Sequence, residues 1–314
     1  MSAPAPAPAD QQHLLRTGAW APLARDVVRV EGPEATAFLQ GQLSQDVDGV
    51  DVGDAVWSLL LAPTGKVDAW LRVTRLEPAT WLLDVDPGAG DAVVARLERF
   101  KLRNDAEVVR DDRWTFRAVR GPAELDLRHP AEVTVHALPV WWPGLVGYDL
   151  LIGDDQAVRL DLPEVGPAAL EVVRVECGVP AMGAELTEAT IPAEAGQWLV
   201  DASVSFTKGC FTGQELVARI DSRGGNVPRP LRGVVVAGGP EADEPPVGAE
   251  VVVDGTPVGV LTSVVRSAAM GAVVALAPVG RSVEPGAAVT VVTDGGQVAA
   301  EVRSLPLVPG PSPT

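Results

Sequence analysis

The sequence predicts an α+β protein that ends in a small antiparallel β-barrel. Over residues 16–228, short apolar runs of strand length alternate with a few segments of helical spacing, and several connections are of hairpin length. From residue 231 to about residue 307, the pattern changes to short Val-rich runs separated by Gly and Pro, which is typical of a small barrel. A doubly wound parallel sheet is therefore not expected.

Three segments have residues typical of the beginning or the end of a helix. Residues 33–39 begin with proline, which suits the first helical position. Residues 92–102 carry apolar side chains at helical spacing and have basic residues at the end, where the helix dipole favours them. Residues 167–177 begin with proline and are followed by Gly178, a residue typical of helix ends.

The predicted strands of the first region are the apolar runs at 26–30, 56–62, 67–73, 81–85, 107–110, 116–120, 133–138 and 147–152. The second and third runs flank Pro63-Thr64-Gly65-Lys66, which has the composition of a hairpin turn. We expect residues 107–110 to pair with 116–120, and residues 133–138 to pair with 147–152.

The composition divides the chain into four parts. The 314 residues suit about two domains of ~100–200 residues each. Residues 1–15, rich in Ala and Pro at their start, are expected to be a disordered tail, and 309–314 a second tail. Between them we expect an α+β region at 16–228 and the barrel at 229–308, joined by the Gly/Pro-rich stretch Arg223-Gly-Gly-Asn-Val-Pro-Arg-Pro230.

The charge and the cysteines exclude several classes of function. Forty-two acidic residues against 25 basic ones give a net charge of −17, which opposes broad binding to nucleic acid or to anionic membranes. The two cysteines and three histidines lack the spacing of a metal site, so no metal is expected. Without a signal peptide pattern or an apolar run of about 18 residues, the sequence favours a reducing cytoplasmic setting.

Lys208-Gly-Cys-Phe-Thr-Gly-Gln-Glu215 is the segment most indicative of chemistry. Thr212 and Glu215 have the spacing of a capping box, so a helix is predicted to begin at Thr212. Cys210 would then lie just before a helix N-terminus, and the helix dipole together with Lys208 would favour its thiolate. Two simpler interpretations stay open, because Cys210 could be a small buried filler and Glu215 only a cap.

Charged residues near Gly/Pro turns provide further candidates. From residue 208 to 232, five cations outnumber two carboxylates, which favours an anionic ligand or a solvated helix face. These cations are Lys208, Arg219, Arg223, Arg229 and Arg232. Glu176, Glu185 and Glu194 also lie beside turns, where they could contact polar ligand edges or cap helices.

The segment at 208–215 resembles the K-G-C-[FY]-x-G-Q-E motif of the folate-binding YgfZ family, relatives of the glycine-cleavage T protein, an aminomethyltransferase. Further matches in order are Phe38-Leu-Gln-Gly-Gln42, Leu61-Ala-Pro-Thr-Gly-Lys66, Arg174-Val-Glu-Cys-Gly178, Ile191-Pro-Ala-Glu194, Val204-Ser-Phe206 and Val258-Gly-Val-Leu-Thr-Ser263. The resemblance implies a T-protein-like fold of two α+β parts around a central folate-binding hole, with a C-terminal β-barrel.

The resemblance also implies a function. The protein would bind tetrahydrofolate, or a one-carbon-substituted folate, and would assemble, maintain or repair iron–sulfur clusters in client enzymes. Its partners would be these clients or assembly factors, with tRNA modification supported only indirectly, and a monomer is expected. Cys210 and Lys208 would be the functional pair. The implied folate contacts are Tyr148, Arg174, Glu176, Glu185, Glu194, Gln214, Glu215 and Arg223.

A folate ring needs apolar walls, for which Trp57, Trp70 and Tyr148 are candidates, although a core role also explains the tryptophans. The sequence departs from the T protein where that protein has two adjacent aspartates, because Ala69 and Trp70 stand there. Asp68 is one residue early, and Leu145-Val-Gly-Tyr-Asp149 lacks the glutamate of the corresponding T-protein segment. An aminomethyltransferase or one-carbon transferase, and a non-catalytic folate-binding scaffold, are therefore the alternatives.

Overall fold

The computed structural model describes residues 6–122, 127–129, 133–153, 158–222 and 224–308. Its α-helices are α1 (Pro8–Gln12), α2 (Ala35–Gln42), α3 (Gly90–Lys101), α4 (Pro167–Cys177), α5 (Gln197–Ser203) and α6 (Gln214–Asp221). A π-helical turn follows α1 at His13–Thr17, and 3-10 turns lie at Pro192–Ala195 and Gly239–Glu241. Within the described ranges, no helix is long and apolar enough to cross a membrane.

The first eleven strands are β1 (Ala19–Leu23), β2 (Asp26–Glu31), β3 (Ala55–Leu61), β4 (Val67–Glu77), β5 (Thr80–Val85), β6 (Glu107–Arg110), β7 (Thr115–Arg120), β8 (Leu127–Arg128), β9 (Val135–Pro139), β10 (Gly147–Ile152) and β11 (Arg159–Leu160). The last seven are β12 (Leu231–Val236), β13 (Glu250–Val253), β14 (Thr256–Val260), β15 (Ser263–Ser267), β16 (Ala272–Pro278), β17 (Ala288–Thr293) and β18 (Gly296–Arg303).

Two larger antiparallel sheets form most of the α+β region, and β8 and β11 form a separate two-stranded sheet. One has five strands in the order β3-β4-β5-β2-β6, and the other has four in the order β1-β7-β10-β9. Side chains of α2 and α3 pack on one face of the five-stranded sheet. On its other face, Val27 and Leu82 pack against Phe116 and Leu151 of the four-stranded sheet. The space between the two sheets therefore lies inside the protein.

The predicted hairpin between residues 56–62 and 67–73 is confirmed, as is the pairing of β9 with β10. The predicted pairing of 107–110 with 116–120 is wrong. β6 instead pairs with β2, because Val108 is buried in the same core as Val28 and Val30. β7 pairs with β1 and β10 in the other sheet. The first predicted helix begins at Ala35, two residues after Pro33.

The C-terminal segment forms one antiparallel sheet of seven strands, in the order β14-β13-β17-β18-β12-β16-β15. An isolated bridge between Gly259 and Val279 brings the β14 edge back to the end of β16, so the sheet curls into a half-barrel. Its interior is filled by small and branched residues such as Val251, Ala275 and Val291. The predicted C-terminal antiparallel barrel is confirmed in this form.

The N-terminal tail predicted for residues 1–15 is wrong from residue 8 onward, where α1 and the π-helical turn form. Leu14 is fully buried in the main core. Gln11 donates to the carbonyl of Arg266 (3.4 Å) and accepts from the amide of Ala268 (2.8 Å), so it bonds to the barrel. α1 begins at Pro8, inside the Ala/Pro pattern, and the two leucines at positions 14 and 15 are too short an apolar run to predict a helix. Residues 309–314 lie outside the described part.

We expect Leu14→Ala to lower the free energy of unfolding by about 3 kcal/mol, because it leaves a cavity in the core. Gln12→Ala, on the exposed side of the same segment, should change it by less than about 0.5 kcal/mol. Urea unfolding followed by tryptophan fluorescence measures both. Equal, small effects would show that this segment does not belong to the core.

Candidate functional site

A cavity of about 320 Å³ lies between the two sheets and α4. β3 and β4 supply Trp57 and Trp70, and the four-stranded sheet supplies Arg120 and Asp149. The remaining walls come from the connections after β1 and β5, from α4, and from residues 179–182. The cavity is therefore the central hole that the sequence resemblance implies.

Tryptophan rings form one wall of this cavity. The rings of Trp57 and Trp70 are stacked, with centroids 4.4 Å apart and planes 24° from parallel. The ring of Trp198 meets Trp70 edge to face at 5.9 Å, and the Trp70 indole donates to the Ser203 hydroxyl at 3.0 Å. Both tryptophans also belong to the main core, which confirms their core role, while their role as walls for a folate ring stays a prediction. Tyr148, the third candidate, is 39% exposed and is not among the cavity residues.

A chain of buried ion pairs lies beside the tryptophan wall. Arg72 on β4 is paired across the sheet with both Trp57 and Asp84, so the strand register places the three side by side. Its guanidinium lies 5.2 Å from the Trp57 ring centroid and bonds to Asp84 at 3.0 and 3.2 Å. Its Nη1 donates to the Asp149 carboxylate at 3.0 Å, and this hydrogen bond links the two sheets.

The row of ion pairs continues at both ends. Arg25 contacts Asp84 at 2.8 Å and also Asp86, while Arg120 contacts Asp149 at 2.8 Å. Burial by itself raises the pKa of the Asp149 carboxyl, but the charges of Arg120 and Arg72 outweigh this and hold that pKa below its usual value. The network thus consists of alternating arginine and aspartate side chains.

Among the predicted folate contacts that the structure describes, Arg174 is the one that lines the cavity. All of its N–H donors are engaged within the protein. Nε and Nη2 donate to Glu171 at 2.8 and 2.6 Å, Nη1 to the Val179 carbonyl at 2.5 Å and to Glu185 at 3.2 Å, and Nη2 also to Ser263 at 2.7 Å. Arg174 therefore builds the wall of the cavity and has no N–H left for a ligand.

None of the four predicted glutamates, Glu176, Glu185, Glu194 and Glu215, lines the central cavity. Glu176 lies two positions from Arg174 on α4 and so faces another side of the helix. It is fully buried and accepts a 2.5 Å hydrogen bond from Ser267, and burial raises the pKa of its carboxyl. Glu185 and Glu194 line a separate cavity of about 210 Å³ against the barrel, where Glu194 accepts from the Ile191 amide at 3.0 Å. A cluster of these carboxylates around one ligand is thus not formed.

Cys210 lies in a separate exposed loop. The alternative interpretation of Cys210 as a small buried filler is therefore wrong. Lys208, two residues earlier, donates to the carbonyls of Gln40, Leu43 and Gln45 at 2.7, 2.8 and 2.9 Å. These carbonyls belong to the end of α2 and the residues after it, so the ammonium clamps the loop to α2. Burial lowers the pKa of Lys208 to about 8, and the negative charges of Asp46 and Asp48 offset part of this shift.

The helix after Cys210 begins later than predicted. α6 starts at Gln214, preceded by Gly213 with a positive φ of 83°, and no side chain caps it. A Cβ at Gly213 would collide with Leu61 and the Ala62 carbonyl, so the loop packs tightly on the β3–β4 hairpin and not on a capping threonine. Gln214 accepts from the Phe211 amide at 3.1 Å, and Glu215 is exposed. Arg223 lies outside the described residues.

The site therefore has two separate parts. The cavity lining includes none of residues 204–215, so the loop of Cys210 is not a wall of the cavity. The other cysteine, Cys177, is buried, which raises the pKa of its thiol to about 12 and keeps it protonated. Among the residues that the structure describes, no group of three or more His, Cys, Asp or Glu side chains could hold a metal ion.

Sequence reasoning missed most of the charged residues around the cavity. These residues are Arg25, Arg72, Asp84, Asp86 and Arg120. The ion pairs of Asp149 with Arg72 and Arg120 were also not predicted. Arg72 lies between the apolar residues Leu71 and Val73 in a buried stretch of β4, and Asp84 lies between Leu83 and Val85 in β5. Because an unpaired charge in such a strand is costly to bury, the interruption itself was the available signal.

Comparisons with known proteins agree with this architecture. The family model of the glycine cleavage T-protein C-terminal barrel domain matches residues 229–309. An aminomethyltransferase of Streptomyces avermitilis is 31% identical over 315 residues, which cover 89% of this chain and 83% of the relative. The chain belongs to the aminomethyltransferase family. The crystal structure of the glycine cleavage system aminomethyltransferase T from Bartonella henselae superposes with a TM-score of 0.77 at 21% identity, over 96% of this chain and 89% of that one.

This aminomethyltransferase-family chain is also similar to proteins with other names. The tRNA-modifying protein YgfZ of Edwardsiella ictaluri is 27% identical, over 68% of each chain. The mitochondrial iron–sulfur cluster assembly factor IBA57 homolog of Chaetomium globosum is 26% identical, over 64% of this chain and 52% of the relative. The predicted relation to YgfZ proteins and the T protein, and the T-protein-like fold, are confirmed.

We expect Lys208→Met to lower the free energy of unfolding by about 1–3 kcal/mol, because three carbonyls lose their shared donor. Lys101→Met is the matched control, since Lys101 forms only a surface pair with Glu98; it should cost less than about 0.5 kcal/mol. Urea unfolding measures both variants. A fully stable Lys208→Met protein would contradict the clamp.

We expect Asp149→Asn to lower the free energy of unfolding at pH 7 by about 3–5 kcal/mol, because Arg72 and Arg120 lose a buried partner. The folded pKa of Asp149 is below its unfolded value of about 4, so its contribution is complete above that pH and is lost as the pH falls below it. The difference from wild type, followed by chemical unfolding between pH 7 and pH 3.5, should therefore shrink only at the acid end.

Asp112→Asn is the control for this experiment, because Asp112 forms an exposed pair with Arg110. Its stability should stay within about 0.5 kcal/mol of wild type at each pH. A difference between Asp149→Asn and wild type that does not change with pH would contradict the assigned ionisation.

Proposed function

We propose that the protein binds tetrahydrofolate in the central cavity and uses the Cys210 thiol in the assembly, maintenance or repair of iron–sulfur clusters in cytoplasmic client enzymes. The observation that carries this proposal is the division of the site. A tryptophan-walled cavity lies inside the protein, and an exposed cysteine lies on a loop that Lys208 clamps to α2.

The cavity fits the head of a folate. A flat heteroaromatic ring needs apolar walls and a few polar groups at its edge. Trp57 and Trp70 supply apolar walls, and Asp86 and Asp149 place carboxylate groups in the lining. The cavity arginines are already paired with carboxylates, so the anionic tail of a folate would extend toward solvent. Tetrahydrofolate bound here would supply a carrier for a one-carbon unit.

The Cys210 loop suits contact with another protein. Cys210 is exposed, and so is Phe206 a few residues earlier. An exposed thiol is accessible to a partner surface, whereas the buried Cys177 is not. In the proposed function the cluster is cargo, and Cys210 is the group of this chain that meets it. The role of Lys208 is to hold the loop against α2.

The names of two relatives support this function. One is called a tRNA-modifying protein and the other an iron–sulfur cluster assembly factor. A single activity on iron–sulfur enzymes accounts for both names when those enzymes modify tRNA. The net charge of −17 favours such an indirect link over direct binding of tRNA.

An aminomethyltransferase activity is the second candidate, and the 31% identical relative favours it. The structure around residues 68–70 and the cavity carboxylates argue against this activity. Asp68 bonds to Arg96 at 2.9 Å, Ala69 is buried in the core under α2 and α3, and Trp70 fills the cavity wall. The cavity carboxylates Asp86 and Asp149 are held by arginines, so neither is a free base.

Two variants separate the functions of the cavity and the thiol. Ala181→Phe fills the cavity and should abolish binding of tetrahydrofolate, measured by quenching of tryptophan fluorescence under reducing conditions, and should also abolish rescue of iron–sulfur enzyme activity in a strain lacking its own family member. Cys210→Ala should bind tetrahydrofolate like wild type and lose that rescue.

The controls are Ala189→Phe, outside the central cavity, and Cys177→Ala, at the buried cysteine. Both should bind and rescue. Absence of tetrahydrofolate binding by the wild-type protein would overturn the ligand assignment. Full rescue by Cys210→Ala would overturn the role of the thiol and favour a non-catalytic scaffold.

A further inference from the structure

We infer that the C-terminal barrel supports one wall of the ligand cavity from behind, with Ser263 as a positioning residue that holds residues 179–182 in place. The inference rests on the proposed function only for the identity of the ligand. The contacts that carry it run from the barrel through Arg174 and Glu185 to that wall.

Strand β15 faces α4 with alternate residues. Because successive side chains point to opposite faces of a strand, Ser263, Val265 and Ser267 share one face. Val265 packs in a small core with Val175 of α4. The two buried serines bond to α4 and to the segment that follows it, and they do so at opposite ends of the strand.

Ser263 begins two short hydrogen-bonded paths to the cavity wall. Its hydroxyl donates to Glu185 at 2.6 Å, and Glu185 accepts from the Ala181 amide at 3.0 Å. The same hydroxyl accepts from Arg174 at 2.7 Å, and Arg174 donates to the Val179 carbonyl at 2.5 Å. Val179 and Ala181 both line the cavity. The Ser263 hydroxyl is therefore linked to two backbone groups of the wall, to the Ala181 amide through Glu185 and to the Val179 carbonyl through Arg174.

The wall has a third fixed point that does not involve the barrel. The Met182 amide donates to Asp86 at 2.8 Å, and the Met182 sulfur accepts from the Trp70 amide at 3.4 Å. Loss of the Ser263 contacts should therefore loosen the wall on the side of residues 179–181 without detaching it. Such a change alters the shape of the cavity and weakens a ligand that fills it.

Ser267 provides a matched control within the same strand. Its hydroxyl is buried, donates to Glu176 at 2.5 Å and accepts from the Met270 amide at 2.9 Å. Glu176 does not line the cavity. Ser263→Ala and Ser267→Ala thus each remove one buried serine–glutamate hydrogen bond between the barrel and the α+β region, and only the first touches the cavity wall.

The test measures the wall first without ligand and then with it. Hydrogen exchange of the Ala181 amide, followed by mass spectrometry of the peptide over residues 179–185, should accelerate at least fivefold in Ser263→Ala and stay unchanged in Ser267→Ala. The Kd for tetrahydrofolate should rise about tenfold in Ser263→Ala and stay within twofold of wild type in Ser267→Ala, although both variants should melt at a lower temperature.

If contacts of the barrel with the wall strengthen ligand binding, ligand binding must strengthen those contacts equally. Tetrahydrofolate should therefore slow hydrogen exchange of β15 in the wild-type protein and should not do so in Ser263→Ala. Ser263→Thr keeps the hydroxyl and should bind like wild type, which keeps the test informative if Ser263→Ala does not fold. Equal Kd values for Ser263→Ala, Ser267→Ala and wild type would overturn the inference. No binding by wild type would instead overturn the ligand, and the exchange without ligand would still decide the role of Ser263.

Discussion

The ion pair between Arg72 and Asp149 joins the two sheets of the α+β region, and the cavity depends on it. Moving a charged group out of water costs several kcal/mol unless an opposite charge compensates it. The arginines and aspartates between the sheets are therefore stable only when all of them are paired, and the paired network fixes the separation of the sheets. Asp84 and Asp149 each lie between two arginines, which leaves no buried carboxylate of the pair without a cation. Trp57 lies against Arg72 on the same sheet face, and the hole opens beside this pair.

The cavity and the Cys210 loop are separate parts of the structure. The cavity is enclosed by groups that are already engaged with one another, which suits a site that holds a ligand and does not attack it. Cys210 lies outside the cavity lining, on a loop fixed by the three carbonyls around Lys208 and by the close approach of Gly213 to the β3–β4 hairpin. The barrel adds a third element, because Ser263 contacts the two side chains that hold the wall at 179–182.

Much of the fold could be predicted from the sequence, since strand runs and helix ends are local signals. α4 has its predicted bounds because proline and Gly178 punctuate it. Strand partners are not local, so β6 was assigned to the wrong sheet. For the candidate site, the sequence singles out the motif around Cys210 and the tryptophans Trp57 and Trp70, but it does not show which face of a helix or loop each charged residue occupies. Glu176 and Arg174 are neighbours in sequence, and their opposite directions follow only from how α4 packs between the cavity and the barrel.

The most direct test of the account is a crystal structure of the protein soaked with tetrahydrofolate. The account predicts electron density for the pteridine ring inside the central cavity, against Trp57 and Trp70, with the glutamate tail directed to solvent and with no contact to Cys210. Ordered ligand on the Cys210 loop, or in the cavity beside Glu185 and Glu194, with the central cavity empty, would contradict it.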